Sequence, residues 1–372
     1  GWSTGLIAVA FALNRAESGL LGPVQGWMID RFGPRRVLQI GALIMAGGFL
    51  LFAEVNSVWQ FFLFYPLVAI GVALAGFLTI TTTVVNWFER RRALALAIYG
   101  TGFAVGGLIT PGLVWYLERF GWRSGARASA VATLVVLLPL SLVFHHRPKD
   151  LGQHVDGFDP DAPQPPRPTA TRVSDVHFTA SEALATRAFW FISLGHMTAL
   201  LVVSSMLAHL ALYLTEDRGM SLQEAGWVIG SLPILQLAGQ FAGGYLGDHY
   251  DKRLLSAGCM VSHVIALLFL AHGTGMWAII VFVPLHGVAW GLRGPLMQAI
   301  RADYFGSTSF GQILGYSSLV VMVGTIVGPL LAGTLNDATG SYTLGFTIIA
   351  GLASTGVAFF LLATPPEPPD RR

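Results

Sequence analysis

Arg15, Glu17 and Arg293 lie inside apolar runs of this 372-residue chain, where charge is expensive. An arginine deep in a membrane-crossing helix costs about 2.5–3.5 kcal/mol on insertion scales, so such a side chain faces protein or water rather than acyl chains. Arg15 lies 15 positions before Asp30, about 22 Å along a helix at roughly 1.5 Å per residue. Arg15 and Glu17 are two apart and point to opposite sides of a helix, so both avoid lipid only if that helix is buried on two sides. Arg15 then meets an anion or a counter-charge, and Glu17 pairs or takes a proton. A structural ion pair is the alternative for both. Arg293 stands ten residues before Asp303, about 15 Å from that end of its run. It sits in Gly291-Leu-Arg293-Gly-Pro295, where small residues and proline loosen a helix. There it contacts an anion, or its long side chain snorkels to the lipid phosphates.

Softer candidates are polar groups on apolar stretches: Tyr99 and Tyr316, the i,i+4 pair Gln236 and Gln240, and His196, His209, His263 and His286. The histidines could relay protons or simply pack with satisfied hydrogen bonds. Thr79, Thr81, Thr82 and Thr83 suit bonds back to their own helix. Cys259 is the single cysteine, so no intrachain disulfide forms, and it reads as a small packing residue.

These side chains need apolar helices to hold them. The chain is 53% hydrophobic and 11% charged, with mean hydropathy +0.62, whereas soluble domains carry nearer a quarter charged residues. The apolar residues fall in runs of about 20, the length that crosses a roughly 30 Å hydrocarbon core. Eleven spans are expected, at 4–28, 37–55, 58–86, 93–117, 126–145, 187–214, 225–247, 254–273, 276–303, 310–334 and 342–363. The turns at 30–36, 88–92, 146–187, 248–253 and 301–309 hold fourteen Lys and Arg residues, against four (Arg119, Arg123, Arg127 and Arg218) in the opposing turns. That asymmetry places the first set, the central linker and the C-terminus in the cytoplasm. The 118–127 turn, with three arginines outside, is the exception. The linker is rich in proline up to Pro168, which suits an extended connection. Thr179–Thr186 suits a short helix along the membrane surface.

The chain repeats itself. Gly26-Trp-Met-Ile-Asp30-Arg31-Phe-Gly33-Pro-Arg35-Arg36 returns as Gly244-Tyr-Leu-Gly-Asp248-His-Tyr-Asp251-Lys252-Arg253, and Asp248 follows Asp30 by 218 positions. Phe88 and Tyr99 return as Phe305 and Tyr316, each at an offset of 217. A constant offset marks a duplicated unit of several helices. The expected organisation is a bundle at 1–145, a linker at 146–186, a bundle at 187–363 and a tail at 364–372. Subtracting 218 from the span 187–214 gives positions before residue 1, so the repeat implies twelve spans in an intact parent with the first absent here. The sequence shows no Cys/His metal spacing, no phosphate-binding glycine loop, no Ser-His-Asp grouping outside the spans and no basic patch for nucleic acid. Neither enzyme, metal, cofactor nor nucleic-acid partner is therefore expected.

With these features the chain resembles the major facilitator superfamily over essentially its whole length. Gly26–Arg36 is similar to that superfamily's loop signature between the second and third helices. Gly1-Trp2-Ser3, Trp87-Phe88-Glu-Arg-Arg-Arg-Ala-Leu-Ala, Phe189-Trp190 and Asp303-Tyr-Phe-Gly306 resemble the monocarboxylate and oxalate/formate branch. The resemblance implies an all-α membrane protein with two pseudo-symmetric helical bundles. It implies secondary transport of a small organic anion by alternating access, coupled to protons or a counter-substrate, in a membrane expected to be the bacterial inner one. Arg293, Arg15, Tyr99, Gln240 and Tyr316 are the expected substrate contacts and Glu17 the proton site. Gln240 falls where monocarboxylate carriers place a carboxylate-pairing arginine, a departure from a simple lactate mechanism. Gly26, Asp30, Arg31, Gly33, Arg35 and Asp248 are expected to form a latch, with Asp30 on the N-terminal end of a helix that begins near Phe310. The alternative is a positively charged turn that only fixes topology. Two other readings stand beside the anion carrier. Gly324–Pro329 loosely resembles the glycine-proline motif of proton-driven exporters of lipophilic compounds. A non-transporting sensor on a carrier scaffold is the other.

Overall fold

The computed structural model describes residues 19–158 and 177–369, and among these the regular elements are all helical. A chain in lipid must satisfy its backbone within each segment, which selects helices from apolar runs of this length. In order they are α1 Gly22–Phe32, α2 Pro34–Ala53, α3 Val58–Leu74, α4 Phe77–Trp87, α5 Arg92–Ala132, α6 Arg187–Leu212, α7 Leu222–His249, α8 Lys252–His272, α9 Gly275–Phe305, α10 Phe310–Thr339 and α11 Thr343–Leu362. The expected turn after the linker is present as Ala180–Leu184, capped by Thr179 with Glu182 reaching back.

Eight described helical stretches are long and apolar enough to cross a membrane. Three expected spans account for the difference from eleven. The span 4–28 lies mainly outside the described residues. α7 has 28 residues, but six glycines, Gln236 and Gln240 dilute its hydropathy. The spans 93–117 and 126–145 run together as a 50-residue helical stretch from Arg92 to Ser141. Gly121, at φ 76° and ψ 161°, breaks that stretch between its two crossings. Without such a break it would reach about 75 Å, more than twice the hydrocarbon thickness.

The span 58–86 is present as the apolar stretch Val58–Trp87, with a break inside it: α3 stops at Leu74 and α4 starts at Phe77. Ala75 and Gly76 leave the helical path, and side chains take the carbonyls that the break frees. Gln25 Nε2 donates to Ala73 O at 2.5 Å, and Thr79 Oγ1 donates to Leu74 O at 2.6 Å. A helix can break at membrane depth only where protein groups take over in this way.

The described chain forms two compact units, and neither is a continuous stretch. The first contains α1–α4, α5 from Gly102 onward and the opening turns of α10, Ser307–Tyr316. The second contains the opening turns of α5, Arg90–Thr101, with α6–α9, α10 from Ser317 onward and α11. In the second unit α9 packs along α7 and α8, while α11 packs against α8 and α6. In the first, α2 lies along α3.

Glycines set the tightest approaches. A methyl group at Gly26 would strike the Gly311 carbonyl and lie 2.8 Å from Gln312 Cα, whereas one at Gly47 on α2 would meet nothing within 4 Å. Forcing an atom into a packed contact costs about 1–3 kcal/mol, while alanine otherwise favours a helix over glycine by about 0.8–1 kcal/mol. Gly26→Ala should therefore lower the thermal midpoint of the protein in nanodiscs, and Gly47→Ala should leave it unchanged or raise it. Equal midpoints for the two variants would show that α1 is not held this closely.

Candidate functional site

Each copy of the repeated turn places its aspartate on the start of a helix. In the first unit, Asp30 Oδ1 accepts from Gly311 N at 3.0 Å and Oδ2 from Gln312 N at 2.9 Å. In the second, Asp248 Oδ1 accepts from Ala93 N at 2.9 Å and Oδ2 from Leu94 N at 3.1 Å. The amide pairs stand at the sequence offset itself: 311 − 93 = 218 and 312 − 94 = 218, matching 248 − 30 = 218. The first amides of a helix have no partner within it and lie at the positive end of its dipole, so a carboxylate there satisfies donors and charge together.

Around these aspartates the copies differ. Asp303 Oδ1 takes Arg92 Nη1 at 2.6 Å and Oδ2 takes Lys252 Nζ at 2.8 Å, with all three side chains only 5–6% exposed. Their counterparts at the 218 offset are Val85, Phe310 and Pro34, none of which carries charge. The sequence reading had counted Arg92 and Lys252 as loop charges that set orientation. Both are buried here, and so is Arg301, which belongs to α9 rather than to the 301–309 turn. Three of the fourteen cytoplasm-assigned basic residues are therefore internal. The exception at 118–127 has a local cause in the first unit. Arg123 donates to Val55 O at 2.8 Å and Asn56 Oδ1 at 2.9 Å, and Arg127 pairs with Glu54 at 2.6 Å, so both tie down the end of α2.

The remaining expected residues separate. Arg31 and Arg35 are exposed, and Gly33 closes α1 at φ 82° ahead of Pro34, the first residue of α2. Tyr99 and Tyr316 are half-buried on the opening turns of α5 and α10, in the second and first unit respectively. Gln240 Nε2 donates to Ala97 O at 3.0 Å, so its amide is bound to the first turns of α5. Arg15 and Glu17 lie outside the described residues. Arg293 is 2% exposed, and its Nε and Nη1 have no hydrogen-bond partner among the described residues. It stands at a structurally special place. Subtracting the two repeat offsets gives 293 − 218 = 75 and 293 − 217 = 76, the residues where α3 and α4 separate.

Arg293 has buried company that the sequence reading did not connect. Arg301, 1% exposed, donates through Nη2 to Ser317 Oγ at 2.7 Å and His196 Nδ1 at 3.2 Å, and through Nη1 to Met297 O at 2.5 Å. His263 and His286 face each other through Nδ1 at 3.2 Å. Arg293 lies within electrostatic reach of Cys259, His196, His263, His286 and Arg301. Arg293 and Arg301 are eight apart, about two helical turns along α9, and that spacing was the available signal. What this cluster offers chemically is donors and positive charge, with no carboxylate partner among the described residues.

Helices of membrane-crossing length and a duplicated aspartate–helix contact mark a multi-pass membrane protein of the transporter class. The chain belongs to the major facilitator superfamily, whose profile matches residues 1–221 and 192–372. Human monocarboxylate transporter 11 is 27% identical over 373 residues, covering 95% of this chain and 73% of that protein. Bovine (Bos taurus) monocarboxylate transporter 13 is 27% identical over 370 residues, covering 93% of this chain and 79% of that protein. Among solved structures, the human organic anion transporter MFSD10 (TETRAN) superposes with a TM-score of 0.71 at 17% identity, covering 94% of this chain and 82% of that one. The fold is thus the all-α one expected, and the relatives are transporters rather than enzymes.

Two expectations follow from the geometry. Burial pushes the Asp30 carboxyl up from 3.8 to about 6, against the pull of the Gln312 and Gly311 amides and of Arg147. Because the folded value exceeds the unfolded one, the folded protein holds an extra proton between about pH 4 and 6. The stability this gives is complete below that window and is lost as pH rises through it. The Asp30 carboxyl carbon should titrate near pH 6 by NMR, and Asp30→Asn should flatten the pH dependence of unfolding in that window. A midpoint near 4 would refute the burial argument. Separately, Asp303→Asn removes the carboxylate that pairs with buried Arg92 and Lys252 and should cost about 3–5 kcal/mol. Replacing Asp303, Arg92 and Lys252 together by apolar residues should cost far less, which thermal unfolding of the two variants compares.

Proposed function

We propose that this transporter carries a small organic anion of the monocarboxylate kind by alternating access, coupled to a proton or to a counter-substrate. The observation that carries the reading is Arg293, a guanidinium 2% exposed whose Nε and Nη1 have no acceptor among the described residues. Burying an unpaired charge costs several kcal/mol, and a bound carboxylate would offset that cost with charge-assisted hydrogen bonds. Snorkelling, the competing expectation for Arg293, fits poorly with so complete an enclosure. Support also comes from the monocarboxylate transporters among the relatives. Tyr99, Tyr316, Gln240 and Arg15 remain proposed substrate contacts, although Gln240 already bonds Ala97 O. Glu17, expected from the sequence as the proton site, lies outside the described residues.

In the same proposal the two aspartate–amide contacts are latches that hold one conformation. Gly26, Asp30, Arg31, Gly33, Arg35 and Asp248 would set the latch and its turns, with the linker and C-terminus on the cytoplasmic side of a bacterial inner membrane. Opening a latch breaks backbone-amide bonds to a carboxylate, each worth about 1.5–3 kcal/mol. That is small enough to be reversed in every transport cycle.

The anion assignment has a direct test in vesicles reconstituted with the full chain. Arg293→Gln keeps size and polarity but removes the charge. Loss of about 2 kcal/mol or more of binding is expected, roughly 30-fold in affinity for the transported carboxylate. Unchanged kinetics would remove Arg293 from the substrate site and with it the basis for an anionic substrate.

A further inference from the structure

We propose that the His263–His286 pair takes up one proton when an anion occupies Arg293, making it the coupling site of a one-proton, one-anion symport. This rests on Arg293 as the anion contact and adds the group that balances the anion's charge.

Both rings are buried, with centroids 4.9 Å apart and Nδ1 facing Nδ1 at 3.2 Å. A nitrogen–nitrogen hydrogen bond needs one N–H and one lone pair, so the accepting ring is neutral and only one ring of the two can become imidazolium. His263 Nε2 is buried and has no hydrogen-bond partner among the described residues. The pair therefore holds its mutual bond and keeps one nitrogen in reserve.

The surroundings decide when that nitrogen takes a proton. α8 contributes Cys259 beside His263, α9 contributes Arg293 and Arg301, and α6 contributes His196. The ionisable groups of α7 (Glu224, Tyr245, Asp248 and His249) lie towards its two ends, and α11 has none. Among the described residues the charge that acts on both rings is that of Arg293. Burial opposes a charge on either ring and the Arg293 cation adds to it, so with Arg293 bare the pair stays neutral. A carboxylate on Arg293 cancels the cation's part of that opposition and gives an imidazolium N–H an acceptor. A proton from water then adds to the pair, leaving His263 a donor on both nitrogens: Nδ1–H to His286 and Nε2–H free for the anion. The site gains one negative and one positive charge and ends electrically unchanged.

His196 does not compete for this role. Arginine only donates, so the contact from Arg301 Nη2 occupies the His196 Nδ1 lone pair and holds that ring as the Nε2–H tautomer.

The test uses purified full chain in nanodiscs, with pyruvate and oxalate as probes and binding measured between pH 6.5 and 8.5, where both probes are fully ionised. Uptake of one proton makes the apparent Kd rise about tenfold per pH unit. In His263→Gln and, separately, His286→Gln the slope should fall below about twofold per unit. If neither probe binds in a manner abolished by Arg293→Gln, the anion reading itself fails and the coupling falls with it. If a probe binds through Arg293 but the slope is absent in the native chain, or survives in both histidine variants, the coupling proposal alone is overturned. Should both variants fail to fold, 15N-histidine NMR of the native protein decides. An imidazolium signal that appears on probe addition supports the pair, and unchanged neutral rings overturn it.

Discussion

A carboxylate seated on the bare amides of a helix's first turn is the interaction on which the organisation of this chain depends. Asp30 and Asp248 each accept two such amides, from Gly311 and Gln312 and from Ala93 and Leu94. Helix starts cannot satisfy these donors internally, and lipid offers no acceptor, so the aspartate settles a need that the fold itself creates. The close approach requires small residues. At Gly26 and Gly311 a side chain would collide, and a methyl at Gly311 would lie 2.7 Å from the Asp30 carboxylate. The same contacts explain why the opening turns of α5 and α10 group apart from the rest of their helices.

Charge burial divides into two kinds. Asp303 pairs closely with both Arg92 and Lys252, at 2.6 and 2.8 Å, and Asp248 lies within electrostatic reach of Lys252. Such an arrangement fixes geometry more than it adds net stability, since desolvation offsets much of the attraction. Arg293 and Arg301 are different, because their cluster contains no carboxylate among the described residues. Arg301 is at least surrounded by Ser317, His196 and the Met297 carbonyl. Arg293 Nε and Nη1 have no such partners among the described residues, and burying a cation without partners is costly.

Much of this was legible in the residues, and the losses have physical causes. Hydropathy gave the helices because crossing length and backbone satisfaction leave few alternatives, and the repeated Asp30 and Asp248 turns gave the duplication. Hydropathy could not show the interruption at Ala75–Gly76, since Val72, Ala73, Leu74, Phe77 and Leu78 are apolar whether or not the helix continues. The groups that sustain the break, Gln25 and Thr79, sit 54 positions apart in sequence and meet only in the fold. Likewise, counting basic residues in turns treats every arginine as solvated. Arg92 and Lys252 looked like topological signals because their partner Asp303 lies 211 residues from Arg92. Arg301 was misplaced for a simpler reason: it sits within two turns of a span end, where solvated and buried side chains look the same in sequence.

The two copies have diverged unevenly, and the pattern follows from which atoms do the work. The aspartate contacts read backbone amides, which every residue but proline supplies, so Gly311 can stand opposite Ala93 and Gln312 opposite Leu94 without loss. Contacts made through side chains enjoy no such freedom. The ion triad at Asp303 has Val85, Phe310 and Pro34 as its counterparts, and the guanidinium of Arg293 has only Ala75 or Gly76. At this position the first copy spends its local flexibility on a broken helix, while the second keeps α9 continuous and places a charge there between Pro284 and Pro295. A duplicated scaffold can thus keep its closing contacts symmetric through the main chain while its chemistry becomes one-sided through a few side chains. Among the described residues the asymmetry gathers buried cationic side chains in the second unit, with Arg293 and Arg301 on α9 and Lys252 at the start of α8.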